Sequence, residues 1–380
     1  MIYLDHNAIT PVRPEAFEAV RRALETFGNP SSVHAAGRAA RDLLDEARGR
    51  VARALSAAPG EIVFTSGATE AAALAIRGAL AAAPPGRRAL VATAVEHPCV
   101  LALAPSLAAQ GTPVQVLPVD RRGLPDLEVL GNAVGEETAV VCGMLANNET
   151  GVLLPVSAMA AAARSAGALF FCDAVQAVGK LPVDVRTLGA DLLALTSQKF
   201  GGPRGAGALW VRPGLRLAPL LGGHQERGRR AGTENLPGIA GLGAALEAAL
   251  ARREPEQARI GALRDRLEAG LLAAVPGARV NGAGAERLPG TLSITFPGAD
   301  GEALLIALDL AGLCASAGAA CTSGSTKPSH VLSAMGLTPA EARGTLRLSL
   351  GWTTMPAEID QALALIPPLV ERVRSAIPAA

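Results

Sequence analysis

Between about Glu61 and Val211, short runs rich in β-branched and apolar residues alternate with Ala/Leu-rich stretches of helical length. The runs predict strands at Ile62–Thr65, Ala89–Thr93, Val114–Pro118, Ala139–Gly143, Ala168–Cys172, Leu192–Leu195 and Ala208–Val211. Helices are expected between them, at Glu70–Leu80, Val100–Gln110 and Ser157–Ala166. Strands separated by helix-length segments read as a doubly wound α/β sheet, mostly parallel and seven-stranded. Beyond about Leu236 the pattern changes. One long helix over Gly238–Ala274 is expected, then a strand at Thr291–Phe296, a Gly/Ala/Ser-rich stretch around Cys314–Gly324, and a strand at Thr345–Leu350. This reads as a smaller α+β domain. The expected division is a large domain over residues 12–250 and a small one formed by 1–11 and 251–380.

In doubly wound sheets, ligands bind at the carboxyl ends of the strands. Polar clusters follow five of the expected strands: Ser66-Gly67-Ala68-Thr69, Glu96-His97, Asn147-Asn148, Asp173, and Thr196-Ser197-Gln198-Lys199. Packing alone does not produce that coincidence, so a site is expected there.

Composition narrows the class. Half of the 380 residues are apolar but only 3% are aromatic, so core volume must come from Ala, Leu and Val. The 35 basic and 34 acidic side chains nearly cancel, which gives no electrostatic pull towards nucleic acid or a membrane. No apolar run reaches the roughly 18 residues that would span a bilayer. Met1-Ile2-Tyr3-Leu4-Asp5-His6 lacks the basic start and apolar centre of a signal peptide. A soluble, cytoplasmic protein is the expectation. Five cysteines with no secretory signal argue against a disulfide framework, and no Cys/His spacing suits zinc. Cys99, Cys142, Cys172 and Cys314 sit among apolar residues and read as small buried hydrophobes. Cys321 lies instead among glycines and small polar residues, in a loop unsuited to core packing.

Lysine occurs only at Lys180, Lys199 and Lys327. A Schiff base needs an amine that can lose its proton, which lysine supplies and arginine does not. Lys199 follows an apolar strand and precedes Phe200-Gly201-Gly202-Pro203, a tight turn, and is the lysine suited to that role. Lys180 and Lys327 read as surface or structural. Asp173 ends an apolar strand, where a carboxylate is costly without a partner. The ring nitrogen of pyridoxal 5'-phosphate would be one; a helix-capping aspartate is the alternative. Ser66-Gly67-Ala68-Thr69, between strand and helix, offers a phosphate seat of backbone N–H groups and a hydroxyl.

Several long segments carry a resemblance. They are Tyr3–Pro11, Phe27–Ser32, Phe64–Glu70, Asp173–Gln176, Gln225–Asn235 and Gly318–Ser325. On these, nearly end to end, the chain resembles cysteine desulfurases of the NifS/IscS type, within the fold-type I pyridoxal-phosphate enzymes and the class V aminotransferase family. The resemblance implies that Lys199 bears the cofactor and moves protons, and that His97 stacks on the ring and serves in acid–base chemistry. Asp173 would bind the ring nitrogen and Gln176 the ring hydroxyl. Ala68, Thr69, Thr196 and Gln198 would hold the phosphate, with Thr233 contributed by a second subunit of a homodimer. Asn148 and Arg347 would grip the carboxylate of the substrate, L-cysteine, and Cys321 would accept its sulfur. The persulfide would then pass to an acceptor protein such as an iron–sulfur scaffold, or towards thio-cofactor or tRNA synthesis.

Three positions depart from the family pattern. Gln198 replaces the usual His before the lysine, and Gln donates a hydrogen bond but carries no charge. Weaker cofactor retention without loss of activity is expected; Gln198→His should tighten pyridoxal-phosphate binding in a titration, and an unchanged affinity would refute the idea. His224 stands for Gly and His6 for Asn, both read as tolerated drift. Rival functions match the residues less well. Cys321 disfavours a transaminase, the intact Lys199, Asp173 and His97 disfavour an inactive relay protein, and the absence of an aromatic platform beside Arg227-Gly228-Arg229-Arg230 disfavours nucleic-acid binding. A selenocysteine lyase stays open.

Overall fold

The computed structural model describes residues 1–317 and 328–376. Cys321 and Lys327 lie outside the described residues. Within them the strands, in chain order, are β1 (Ile2–Tyr3), β2 (Ile62–Thr65), β3 (Ala89–Thr93), β4 (Val114–Leu117), β5 (Thr138–Met144), β6 (Leu169–Asp173), β7 (Leu192–Thr196), β8 (Gly207–Val211), β9 (Arg279–Val280), β10 (Thr291–Thr295), β11 (Leu313–Cys314), β12 (Ser316–Ala317) and β13 (Thr345–Ser349). Seven of these form the main sheet, in the order β2-β8-β7-β6-β5-β3-β4. β8 runs antiparallel to β2 and β7, and the remaining neighbours are parallel.

Alternation along the strands divides the core. Phe64, Val141, Phe170 and Leu193 face one apolar cluster, which includes helices Ala35–Ala54, Val156–Ser165 and Leu236–Ala251. Their neighbours Val63, Val140, Phe171 and Leu192 face the other, with helix Ala68–Ala82. Both faces are covered, which is why these strands read as apolar runs and not as alternating ones. A third cluster lies on the small sheet β12-β13-β10-β9, between helices Arg253–Ala274, Gly301–Leu310 and Pro356–Ala376, and takes in Ile2 and Leu4. The N-terminus reaches it because β1 pairs in parallel with β11 and His6 N–H donates to the Ser349 carbonyl.

Two expectations need correction. The single helix over Gly238–Ala274 is two helices, Leu236–Ala251 and Arg253–Ala274, broken at Arg252 (φ −112°, ψ 4°). Pro255 explains the break, since it has no N–H for the Ala251 carbonyl and its ring would crowd that group. The helix expected over Val100–Gln110 is likewise two short ones, Pro98–Leu101 and Leu103–Ala109. Among the described residues no helix is long and apolar enough to cross a membrane, and no cluster of His, Cys, Asp and Glu is arranged for a metal.

His6, read as tolerated drift, is a core residue. It is 1% exposed, stacked edge-on against Tyr3, and so close to Gly351 that a Cβ there would lie 2.0 Å from Nδ1. Gly351→Ala should therefore overpack this site and cost about 1–3 kcal/mol in denaturant unfolding. Unchanged stability would show that the ring can move aside.

Candidate active site

The polar strand ends converge on one cavity of about 530 Å³ at the carboxyl edge of the main sheet. Ala68, Thr69, His97, Asn148, Asp173, Gln176, Thr196, Gln198, Lys199 and Arg347 all line it. Thr233 does not; it is exposed, on the loop before helix Leu236–Ala251.

One end of the cavity is the start of helix Ala68–Ala82. Its N-cap, Gly67, has φ +158° and ψ 179°, a backbone state that side chains rarely allow, and no side chain caps the helix. Gly207 in β8 packs against it: a Cβ at 207 would lie 2.7 Å from Gly67 Cα. The uncapped first turn, with Thr69 and Thr196 beside it, is a seat for an anion. Glu70 lies away from that role. It accepts from Ser66 N–H at 2.8 Å and pairs with Arg230 at 2.7 Å.

At the centre, Lys199 closes the short turn Ser197–Lys199 after β7, and its Nζ donates to the carbonyls of Asn7 (2.8 Å) and Ala8 (2.6 Å). Asp173 ends β6. Burial pushes its carboxyl up to about 6, while the Val175 N–H bond and the Lys199 charge oppose the rise. Val175 N–H donates to one carboxyl oxygen at 3.0 Å, a local turn and not the helix cap weighed as the alternative, and the residue lines the cavity. His97 caps its own short helix, Nδ1 accepting from Cys99 N–H at 3.1 Å. That contact fixes the neutral tautomer with hydrogen on Nε2. Burial first, then the Lys199 and His330 charges, lower the ring to about 4, so His97 is neutral at pH 7.

Opposite these, the Arg347 guanidinium is 2% exposed. Its Nη2 pairs with Asp5 at 2.7 Å and Nη1 donates to the Asn148 carbonyl at 3.2 Å, while Nε is buried with no partner among the described residues. A buried cation with donor capacity left over favours an incoming carboxylate. The donor set therefore fits pyridoxal phosphate, with an amine, a buried carboxylate and an uncapped helix start around one cavity. Beside it stands a partly free arginine for a carboxylate substrate.

Sequence reading missed several residues. Asn7 lies in a motif that carried the resemblance, yet its role is visible only in three dimensions. Its Nδ2 donates to Asn148 O and Thr291 Oγ1, and its N–H to Ser349 Oγ. Lys180, expected at the surface or in a structural place, stands behind the cavity wall, bonded to Gln176 Oε1 at 2.6 Å and Asn7 Oδ1 at 3.2 Å. Cys142 and Cys172 are buried with thiols pushed well up by burial, as expected for inert cysteines. Cys99 and Cys314 are only half-buried, against the expectation, and Cys99, in the one-turn helix Pro98–Leu101, lines the cavity. Ser329 Oγ donates to the Glu149 carboxylate, and His330 Nε2 meets the Glu96 carbonyl at 2.9 Å.

Glu96 is fully buried. Thr93 Oγ1 and Met144 N–H donate to one carboxyl oxygen and the other has no partner among the described residues. Burial, reinforced by the Asp173 charge, pushes it up to about 8. For an acid whose folded pKa is raised, the stabilising contribution is complete below its unfolded value and is lost as pH rises through the folded one. Glu96→Gln should therefore be more stable than the parent by a few kcal/mol at pH 8.5 and nearly equal at pH 4.5. Denaturant unfolding at the two pH values checks this; equal gains at both would place the effect in packing and not in charge.

Comparison with known proteins agrees with this geometry. Residues 2–362 match the model of the aminotransferase class-V family. The chain is 50% identical over 381 residues to a cysteine desulfurase of Cereibacter sphaeroides, covering 99% of this chain and 97% of that protein. It is 47% identical to the cysteine desulfurase NifS of Azotobacter vinelandii, covering 99% and 94%. A solved NifS-like protein superposes with a TM-score of 0.91 at 34% identity, covering 98% and 99% of the two chains. Another, described as SspA in complex with cysteine, superposes with a TM-score of 0.82 at 32% identity, covering 93% and 100%.

Proposed function

The chain belongs to the class-V aminotransferase family and to its cysteine desulfurases, and from that membership we propose that it converts L-cysteine to L-alanine and holds the sulfur as a persulfide on Cys321. The observation that carries the reading is one cavity joining Lys199, Asp173, His97 and the uncapped helix start to Arg347.

Pyridoxal phosphate, the family's cofactor, supplies an electron sink for the substrate α-carbon when bound. Lys199 Nζ is the amine that attaches it and the base that takes the α-proton, for which it must be neutral at that moment. Asp173, ionised above about pH 6, holds a proton on the ring nitrogen. His97, neutral, would stack on the ring and offer its Nε2 hydrogen. Gln176 donates to the ring hydroxyl, while Thr69, Thr196, Gln198 and the N–H groups from Ala68 onward bind the phosphate. Arg347 and Asn148 orient the L-cysteine carboxylate. The Cys321 thiolate attacks the substrate sulfur; the new S–S bond forms as the Cβ–S bond breaks, its electrons stay with the carbon skeleton, and protonation there ends in L-alanine.

Several further parts belong to this reading. A homodimer is supported by exposed Phe17, Leu24, Phe27 and Val33, which leave an apolar face near the N-terminal helices. Thr233, exposed and away from its own cavity, would then serve the partner's phosphate. The division into residues 12–250 and 1–11 with 251–380 is supported by separate apolar cores, although Val331, Leu332 and Met335 pack with the larger one. A cytoplasmic location and transfer of sulfur to an acceptor such as an iron–sulfur scaffold complete it.

The test is peptide mass spectrometry of cofactor-loaded protein after brief exposure to L-cysteine, with alanine measured in the same sample. One added sulfur on the Cys321 peptide, lost in Cys321→Ser, is expected. Alanine and persulfide both missing from loaded protein would overturn the assignment.

A further inference from the structure

We propose that Lys180 is a positioning residue of the active site, holding the Gln176 carboxamide so that its nitrogen, never its oxygen, faces the cofactor cavity. This rests on the reading of Gln176 as the donor to the cofactor's ring hydroxyl. The argument begins with what each group can do. A lysine amine reaching an amide can only donate usefully, so the atom facing Lys180 Nζ at 2.6 Å is Gln176 Oε1. With that oxygen committed, Nε2 turns the other way. One of its hydrogens goes to the Asn7 carbonyl at 2.9 Å, and the second is left for the cavity that Gln176 lines. Without Lys180 only the Asn7 carbonyl would oppose a flip of the amide, which would present a carbonyl to the ring oxygen, where two acceptors would repel.

The same lysine steadies the other partner. Its Nζ also donates to Asn7 Oδ1 at 3.2 Å, and the Asn7 carbonyl accepts from Lys199 at 2.8 Å. Lys180 and Lys199 therefore sit on opposite sides of one asparagine. Gly179 makes the approach possible: its φ is +83°, and a Cβ there would lie 2.7 Å from Phe200 Cβ. Keeping a cation so close to Lys199 and Arg347 is costly. Burial, then those two charges, lower Lys180 to about 7. An apolar side chain of equal length would avoid the cost, so mere filling of space does not account for a lysine here. The charged amine, which has no acceptor, enforces this orientation, and the neutral amine keeps two N–H donors that can hold the same bonds.

The test compares Lys180→Met, Lys180→Ala, Lys180→Gln, Gln176→Met and the Lys180→Met/Gln176→Met double variant. The readouts are pyridoxal-phosphate affinity by titration of the apoprotein, the absorption spectrum of the bound cofactor, and the apoprotein melting midpoint. Two truncations of different bulk keep the test open if one does not fold. Lys180→Met should weaken cofactor affinity about tenfold, the weight of one lost hydrogen bond, and shift the absorption band. Lys180→Gln, which keeps a donor, should restore most of both. In the Gln176→Met background the lysine change should add nothing further. Wild-type affinity and spectrum in both truncations would overturn the proposal, as would losses that simply add in the double variant. A harmless Gln176→Met would instead break the underlying reading of Gln176, and the inference with it.

Discussion

Lys199→Ala is expected to lose covalent attachment of the cofactor and to lower kcat/KM for L-cysteine by about 10³-fold or more. The fold should survive. Lys199 sits in a three-residue turn at the cavity floor, and the carbonyls it leaves, those of Asn7 and Ala8, border a space that water can enter. The variant should bind pyridoxal phosphate without the absorption band of the attached form, and should form no persulfide. Activity within tenfold of the parent would mean that another amine does the work. Lys180 is the one to examine next, since it hydrogen-bonds the same Asn7.

The second large effect is expected at Asp173, where function and stability point in opposite directions. Without its carboxylate the ring nitrogen loses the group that keeps it protonated, and kcat should fall by about 10²–10⁴-fold in both Asp173→Ala and Asp173→Asn. Stability behaves otherwise. The folded pKa of about 6 lies above the ordinary value of 3.8, so the ionised form is disfavoured in the folded apoprotein. The associated stability is complete below about pH 4 and is lost as pH rises through 6. Apo Asp173→Asn should therefore exceed the parent by up to a few kcal/mol at pH 8 and show little gain at pH 4. Urea unfolding of the two apoproteins decides it, and a variant less stable at pH 8 would mean that the Val175 hydrogen bond outweighs the buried charge.

Much of this arrangement is legible in the chain because it is local. Apolar runs mark Ile62–Thr65 and Leu192–Leu195 as strands, and the polar groups just beyond them reach one cavity because parallel strands end on the same side. The scarcity of lysine singles out Lys199. What escapes is either competition between local signals or contact across long separations. Composition favours one continuous helix from Gly238 onward, and a single proline three residues beyond Arg252 divides it. Lys180 follows a glycine in a loop before Leu181-Pro182 and looks like a surface or structural residue, since nothing nearby in sequence reveals that residue 7 covers it. The Arg347–Asp5 pair joins residues 342 positions apart, and no periodicity encodes such a meeting.

That last contact has a consequence for biosynthesis. Asp5 and Asn7 leave the ribosome 342 residues ahead of their partners Arg347 and Ser349. At about 5–20 residues per second, the N-terminal segment waits on the order of 20–70 s for them. The main sheet, closed by Val211, can form during that interval, whereas the wall of the cavity cannot. Cofactor capture in its final geometry thus waits until Arg347 and Ser349 have emerged, and a ribosome-stalled fragment ending before Thr345 would hold a folded sheet with an open site.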